Sequence, residues 1–291
     1  MDIFARPPSA ATIIERSNRE KEANQAGMKA RDQWTELIRL TLEDAGVTDT
    51  THIRNAQASL PEMGRATCFL KRGQETGTGL LFSADDLGFW VVTNNHCVPN
   101  EEAAERTEVF FGYDTDWNLK NLRAFSVELE SSSPPWNNLE EINGEHLDYS
   151  GLKLKLQSQE DKEFLEEKAL KRDSHLMNPT DSLFPVDEAI LRSIPDGPNY
   201  IPLFMFSHPR GLSKRLSGGK LEEVMSRNVN GSATHLKLNL PVLPGSSGGN
   251  VLFCPLTGAR YANWWAELMC STASLPLALT VKWSAILNDN N

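Results

Sequence analysis

Short apolar runs separated by turn residues dominate the chain from about residue 65 onward. These runs cover residues 66–71, 79–83, 89–93, 108–113 and 125–129, and then 201–206, 220–224, 235–240 and 251–253. Runs of this length that end at Gly, Asn, Asp or Ser are typical of strands. Because no long helical pattern lies between most neighbouring runs, we predict an antiparallel all-β domain of barrels or a sandwich. Loop-like inserts are expected at 131–145 and 157–182, the second with a helix-prone segment at 159–172.

Residues 1–58 differ in composition and predict an N-terminal helical extension. The segment 16–45 is rich in Glu, Lys, Arg, Ala and Gln, and Trp34, Leu37, Ile38 and Leu42 recur at helical spacing. This single apolar stripe either docks on the chain's own domain or mediates contact with a partner or a second copy. We therefore divide the chain into a helical extension at 1–58, a main domain at 59–255 and a C-terminal segment at 256–291.

Composition and charge limit the classes of function. The 291 residues are 40% hydrophobic and carry a formal net charge of −10, which argues against a nucleic-acid-binding surface and against attraction to an anionic membrane. The first residues lack the basic-then-apolar pattern of a secretory signal, and no apolar run is long enough to span a membrane, so we expect a cytoplasmic protein. The four cysteines form no C-x-x-C pair and are expected as free thiols.

The stretch P-G-S-S-G-G-N at residues 244–250 places Ser247 among glycines between two apolar runs. Glycine accepts positive φ and allows close approach to the main chain. Such a serine could be a nucleophile with neighbouring N–H groups directed at a reacting oxygen. A plain glycine-serine turn between two strands gives the same pattern, so the choice depends on residues elsewhere in the chain.

A serine nucleophile needs an imidazole to take its proton and a buried carboxylate to orient that imidazole. His96 is the best candidate of the six histidines because it directly follows the apolar strand at 89–93. Asp148 is the candidate carboxylate, since it begins the alternating run 148–156 and lies between His96 and Ser247.

Three motifs resemble the trypsin-like (chymotrypsin-fold) serine peptidases, in the style of intracellular and bacterial members. T-N-N-H-C at 93–97 is similar to the T-A-A-H-C segment of that family, D-Y-S-G-L at 148–152 to D-[IV]-A-L-L, and G-S-S-G-G at 245–249 to G-[DNS]-S-G-G. The order His, Asp, Ser agrees, with intervals of 52 and 99 residues. The resemblance covers about residues 60–255 and implies two six-stranded antiparallel barrels with the active site between them.

The resemblance assigns each site residue a role. It implies that Ser247 is the nucleophile, His96 the general base and then acid, and Asp148 the residue that orients His96. The oxyanion hole would use the backbone N–H groups of Gly245 and Ser247. Apolar residues would line the primary substrate pocket: Pro241, Val242, Leu243 and Pro244. The implied reaction is the hydrolysis of a peptide bond in a protein or peptide substrate, with no metal or organic cofactor.

The chain departs from the family pattern in several places. Pro241 stands where trypsin has the aspartate that selects Lys or Arg, so specificity for basic residues is not expected. Asn250 replaces a usual proline. Cys97 lacks the partner cysteine that secreted members carry in the preceding strand, residues 77–83. No I-V-G-G-type activation start is recognisable. Residues 256–291 match poorly and are expected to be either a divergent end of the second barrel or an aberrant end that leaves this barrel incomplete.

The sequence also contains residues that fit other interpretations. Asp187 also resembles the aspartate motif but lies only 60 residues before Ser247, which leaves little chain for the intervening strands. The G-x-S-x-G pattern of α/β-hydrolases requires a histidine after the serine, and all six precede Ser247. The segment 206–212 resembles the G-[HYN]-P-x-G turn of the family, to which we assign His208. A catalytically silent, protease-like binding or scaffolding module remains the alternative function.

Overall fold

The structure, a computed structural model, describes residues 32–84, 88–114, 122–133, 148–171, 202–227, 233–253, 266–271 and 278–282. Four helices lie in this part of the chain: α1 at 32–44, α2 at Thr50–Met63, α3 at Glu101–Glu105 and α4 at Gln159–Lys168. Short 3₁₀ turns occupy Gly64–Ala66 and Pro209–Gly211. No helix among these residues is both long and apolar enough to cross a membrane.

Thirteen strands form the rest of the described architecture. In the first half they are β1 (Thr67–Arg72), β2 (Glu75–Ala84), β3 (Gly88–Thr93), β4 (Glu108–Phe111), β5 (Arg123–Ser133), β6 (Tyr149–Leu154) and β7 (Leu170–Lys171). In the second half they are β8 (Pro202–Ser207), β9 (Arg215–Arg227), β10 (Ala233–Asn239), β11 (Gly249–Phe253), β12 (Ala266–Ser271) and β13 (Ala278–Lys282). The protein is predominantly β, as the alternation of apolar runs and turn residues predicts.

The first seven strands form one sheet in the order β1-β4-β5-β6-β3-β2-β7. Its pairings are antiparallel except for the short parallel pair of β2 and β7, and β1 also pairs with β2 along a tight hairpin. Buried apolar side chains fill its interior, among them Leu81, Val91, Val109, Phe111 and Leu152. This core holds the ends of β3 and β6 in place, where the candidate site begins.

The last six strands form a closed barrel in the order β10-β13-β12-β11-β8-β9. Its antiparallel pairing includes two strands from the poorly matching C-terminal segment, because β12 pairs with β11 and β13 pairs with β10. Residues 256–291 therefore contribute strands to the barrel that carries Ser247.

The two N-terminal helices pack on this barrel. Ile38 and Leu42 of α1 and Leu60 of α2 are buried against Phe206 and its neighbours, and the Trp34 ring lies 5.3 Å from that of Phe206 in an edge arrangement. The apolar stripe of α1 thus contacts the protein's own barrel. Association with a partner through this region stays a prediction. Helix α2 continues past residue 58, the boundary expected from composition, to Met63.

The helix-prone segment at 159–172 forms α4 over Gln159–Lys168, and Leu170–Lys171 form the short strand β7. Its start is explained by Ser158, whose hydroxyl accepts a hydrogen bond from the Asp161 N–H at 3.1 Å, an N-cap that satisfies one of the free donors of the first turn. The helix is held by Leu165, which is fully buried in the core of the first sheet.

Candidate active site

The stretch around Ser247 folds as two consecutive turns. The N–H of Ser246 donates to the Leu243 carbonyl at 3.0 Å, with Gly245 at φ +89, and the N–H of Gly249 donates to the Ser246 carbonyl at 2.9 Å, with Gly248 at φ +80. A positive φ at the third residue of each turn is the signature of type II turns and explains both glycines. Ser247 is the second residue of the second turn, and strand β11 begins two residues later, at Gly249.

His96 and Asp148 come together because their strands are neighbours. Strands β3 and β6 pair antiparallel, with Thr93 opposite Ser150, so the residues after β3 lie beside the residue before β6. The His96 Nδ1 lies 2.9 Å from the Asp148 Oδ2, and the His96 N–H donates to Oδ1 at 3.1 Å. Asp148 is fully buried and adopts φ +49, a left-handed conformation that is uncommon outside glycine.

The Asp148 carboxylate determines the state of the imidazole. A carboxylate at Nδ1 accepts a hydrogen bond from the N–H of that nitrogen and leaves Nε2 as the base in the neutral ring. Burial by itself lowers the pKa of His96, but the hydrogen bond to Asp148 and the adjacent Cys97 side chain raise it above the ordinary histidine value. The site therefore stabilises the protonated ring that forms when His96 takes a proton.

The Asn94 side chain connects the turns of Ser247 to this pair, and the main chain of Thr78 holds the same turns. The Asn94 amide donates to the Asp148 carbonyl at 3.0 Å and accepts from the Gly248 N–H at 2.6 Å. The Thr78 N–H donates to the Ser247 carbonyl at 2.8 Å. The peptide between Ser247 and Gly248 is thus held at both its carbonyl and its N–H.

Ser247 and His96 line the same pocket, which has a volume of about 290 Å³. Its floor and walls come from the β1–β2 hairpin, the segment after β3 and the turns of Ser247, including Leu70, Cys97 and Gly245. The pocket leaves room for a substrate group next to both residues. Cys97 and the buried Cys68 are free thiols.

The remaining residues of the sequence-based site have mixed placements. Pro244 lines this pocket, whereas Pro241, Val242 and Leu243 lie on the segment that leads into the turns, with Leu243 44% exposed. Their role in a primary substrate pocket stays a prediction. Asn250 lies inside β11 and is buried, with no hydrogen-bond partner for its amide among the described residues.

His208 lies away from the His96–Asp148 pair in the turn to which the sequence assigns it. It is buried, its Nδ1 lies 3.1 Å from the Leu212 carbonyl, and its ring stacks on Tyr113 at 5.7 Å. Burial and the nearby Lys214 lower its pKa to about 3. Asp187 and the side chain of His235 lie outside the described residues.

Sequence reasoning missed Thr78 and Asn94 as parts of the site. Both belong to motifs that it quoted, T-G-T-G at 76–79 and T-N-N-H-C at 93–97. Asn94 carried a signal, since a large amide replaces the small alanine of T-A-A-H-C. Nothing in the local sequence indicated a role for Thr78, because its hydroxyl bonds to backbone atoms far along the chain. In the described part of the chain, no group of three or more His, Cys, Asp or Glu side chains could hold a metal ion.

The family model of the trypsin-like peptidase domain matches residues 77–253, which include His96, Asp148 and Ser247. The chain belongs to the trypsin-like peptidase domain family. No similar protein was found among curated proteins.

Among solved structures, the trypsin-like peptidase domain is similar to several proteases. A serine-to-alanine mutant of Rv3671c from M. tuberculosis H37Rv, in its inactive form, is 12% identical, with 79% of this chain and 86% of that chain covered and a TM-score of 0.45. The MamO protease domain from Magnetospirillum magneticum is 14% identical over 78% and 97% of the two chains, with a TM-score of 0.45. A variant of the HtrA-type protease AlgW with a tripeptide is 13% identical over 79% and 60%, with a TM-score of 0.44.

Proposed function

We propose that this protein is a serine endopeptidase that hydrolyses peptide bonds through an acyl-enzyme. The observation that carries the proposal is the contact of His96 with the buried Asp148. The His96 Nδ1 lies 2.9 Å from the Asp148 Oδ2, and the His96 main-chain N–H donates to Oδ1 at 3.1 Å. His96 also lines one pocket with Ser247. A carboxylate bonded to an imidazole, and a hydroxyl that shares a pocket with that imidazole, are the parts that acyl transfer requires.

In the proposed mechanism His96 accepts the Ser247 proton as the hydroxyl attacks the carbonyl carbon of the scissile bond. The negative oxygen that forms is stabilised by the N–H groups of Gly245 and Ser247. His96 then gives the proton to the leaving amine, and the C–N bond breaks. A water molecule repeats the sequence on the ester, with His96 as the base, and releases the acid product.

The proposal includes the double-barrel architecture. The pairing of β1 with both β2 and β4 supports a first barrel of β1–β6 in addition to the closed barrel of β8–β13. We keep the division into 1–58, 59–255 and 256–291 as part of the same proposal. The apolar residues Pro241, Val242, Leu243 and Pro244 are proposed to line the pocket for the residue before the cleaved bond.

Labelling with a fluorophosphonate tests this function, because the probe reacts with activated serines. We expect labelling of the wild type, none of Ser247→Ala, and a loss on the order of 10⁴-fold for His96→Ala and Asp148→Asn. Asp187→Asn is the matched control and should label normally. A well-folded wild type that does not label would favour the silent scaffolding module, and loss in Asp187→Asn instead of Asp148→Asn would show that the carboxylate is misassigned.

A further inference from the structure

Every polar group of Thr78 is used to join three segments of the site. The side chain is fully buried. Its hydroxyl donates to the Gly245 carbonyl at 2.8 Å and accepts from the His208 N–H at 2.9 Å. Its own N–H donates to the Ser247 carbonyl at 2.8 Å, and its carbonyl accepts from the Thr93 hydroxyl at 2.7 Å.

The two peptide groups on either side of the Gly245 Cα are both held. The Pro244 carbonyl accepts from the Arg210 N–H at 2.5 Å, and the Gly245 carbonyl accepts from Thr78. In a trans peptide the carbonyl and the following N–H point in opposite directions. Because the Pro244 carbonyl points at Arg210, the Gly245 N–H points away from the turn that contains Arg210.

Glycine makes this orientation easy to lose. Type I and type II turns differ mainly by a half-rotation of the central peptide, and a glycine at the third position accepts both. After such a rotation the Pro244 carbonyl, an acceptor, would replace the Gly245 N–H, a donor. The structure has the type II form, with Gly245 at φ +89. The bonds from Arg210 and Thr78, both outside the turn, hold the two carbonyls in this form.

A second contact supports the same turn. The hydroxyl of the buried Ser246 lies 3.2 Å from that of Ser207, the residue before the His208 turn. Arg210 thus holds the Pro244 carbonyl, Thr78 holds the Gly245 carbonyl, and Ser207 holds the Ser246 hydroxyl. All of these contacts are between neutral groups, so they do not change with pH.

We propose that Thr78 is a positioning residue that keeps the oxyanion hole formed by holding the Gly245 carbonyl. This inference rests on the proposed function, in which the Gly245 N–H binds the oxyanion. Thr78 does not touch the substrate; it acts through Gly245. The His208 turn acts in the same way, since its His208 N–H orients the Thr78 hydroxyl and its Arg210 N–H holds the Pro244 carbonyl.

The variants Thr78→Val and Thr78→Ser separate the hydroxyl from the shape of the side chain. Valine keeps the volume but removes the donor to Gly245, and serine restores it. Removal of one oxyanion-hole donor lowers kcat by about 10²–10³-fold. We expect the second-order rate constant of fluorophosphonate labelling to fall by about 10²-fold in Thr78→Val and to recover to within several-fold of wild type in Thr78→Ser.

The dependence of labelling on pH distinguishes a lost oxyanion hole from a displaced base. In Thr78→Val the plateau rate should fall while the apparent pKa of labelling stays within about half a unit of wild type, because His96 and Asp148 are not changed. Ser158→Ala is the matched control for lower stability, since it removes an N-cap hydrogen bond in α4 and should label at the wild-type rate.

The role of Thr78 alone would be overturned by a labelling rate of Thr78→Val equal to wild type, or by a loss in Thr78→Ser as large as in Thr78→Val. A fall in rate caused by a shifted apparent pKa would also overturn it. A folded wild type that fails to label would instead overturn the proposed function, and the inference with it.

Discussion

The substitution Gly77→Cys should create a disulfide with Cys97. A Cβ atom added at Gly77 would lie 3.1 Å from the Cys97 Sγ and 3.6 Å from its Cβ. In a disulfide the Cβ atoms are about 3.5–4.5 Å apart, and the bond lengths place each Cβ about 3.0 Å from the distant sulfur. Both distances agree with this geometry, and the φ of Gly77 is not positive, so the backbone accepts a side chain.

The expected gain in stability follows from the loop that the bond closes. Residues 77–97 make a loop of 21 residues. The chain-entropy relation then predicts a stabilisation of about 3 kcal/mol from restriction of the unfolded chain. For a domain of this size, each kcal/mol raises Tm by about 2–4 °C, which corresponds to a shift of about 6–12 °C.

The measurement is best made in a Ser247→Ala background, which removes self-cleavage as a source of error. Urea unfolding of Gly77→Cys is compared before and after reduction, and thiol titration counts the free cysteines in each form. Gly77→Ser is the matched control, because it adds a side chain of similar size without a second sulfur. Its free energy of unfolding should not depend on reductant.

Two outcomes would refute this reasoning. The oxidised variant could retain both thiols, which would mean that Gly77 and Cys97 are not adjacent as described. Alternatively, the bond could form without any gain in the free energy of unfolding, which would mean that strain in the native state cancels the loop entropy. The first outcome would also question the relative positions of β2 and the segment that carries His96.

Two further predictions concern stability, both measured by urea unfolding in the same Ser247→Ala background. His208 is neutral and buried, with its pKa lowered to about 3. Its contribution to the free energy of unfolding is therefore present above the unfolded pKa of about 6.5 and is lost as the pH falls toward 3. Between pH 7 and pH 5 this loss is about 2 kcal/mol. His208→Phe should remove that part of the pH dependence, and an equal loss in both proteins would contradict the assignment. Asn94→Ala leaves the buried Gly248 N–H without its acceptor and should cost about 1–3 kcal/mol. This should exceed the cost of Asn100→Ala, about 1 kcal/mol, which removes one N-cap bond to the Ala103 N–H. Equal losses in the two variants would contradict a joining role for Asn94.

Much of the β architecture could be predicted from local sequence. The runs at 66–71, 89–93 and 251–253 become β1, β3 and β11, with ends within two residues of the prediction. A strand needs only its own alternation and its bounding turn residues to be recognised, and both are local. The strand predicted at 79–83 is shorter than β2, which starts at Glu75 because the chain pairs with β1 from that residue onward. That extension depends on the partner strand.

Strands β12 and β13, in contrast, could not be predicted from the family motifs. Residues 256–291 match the family motifs poorly, yet β12 and β13 pair with β11 and β10 and complete a barrel. Backbone hydrogen bonds form these pairs, and backbone groups are the same in every residue type except proline. Family motifs therefore say little about whether such strands are present.

Part of the candidate site could be predicted from the sequence, and part depends on the tertiary structure. The sequence by itself predicted His96, Asp148 and Ser247 as the residues to bring together, because acyl transfer needs a hydroxyl, an imidazole and a carboxylate and because the three motifs are specific in combination. Only the tertiary structure decided how the turns of Ser247 are held. The bond from Thr78 to the Gly245 carbonyl spans 167 residues, and the bond to it from the His208 N–H spans 130. In each, one partner is a main-chain atom that no side chain identifies, so these contacts become visible only once the strands have brought distant segments together.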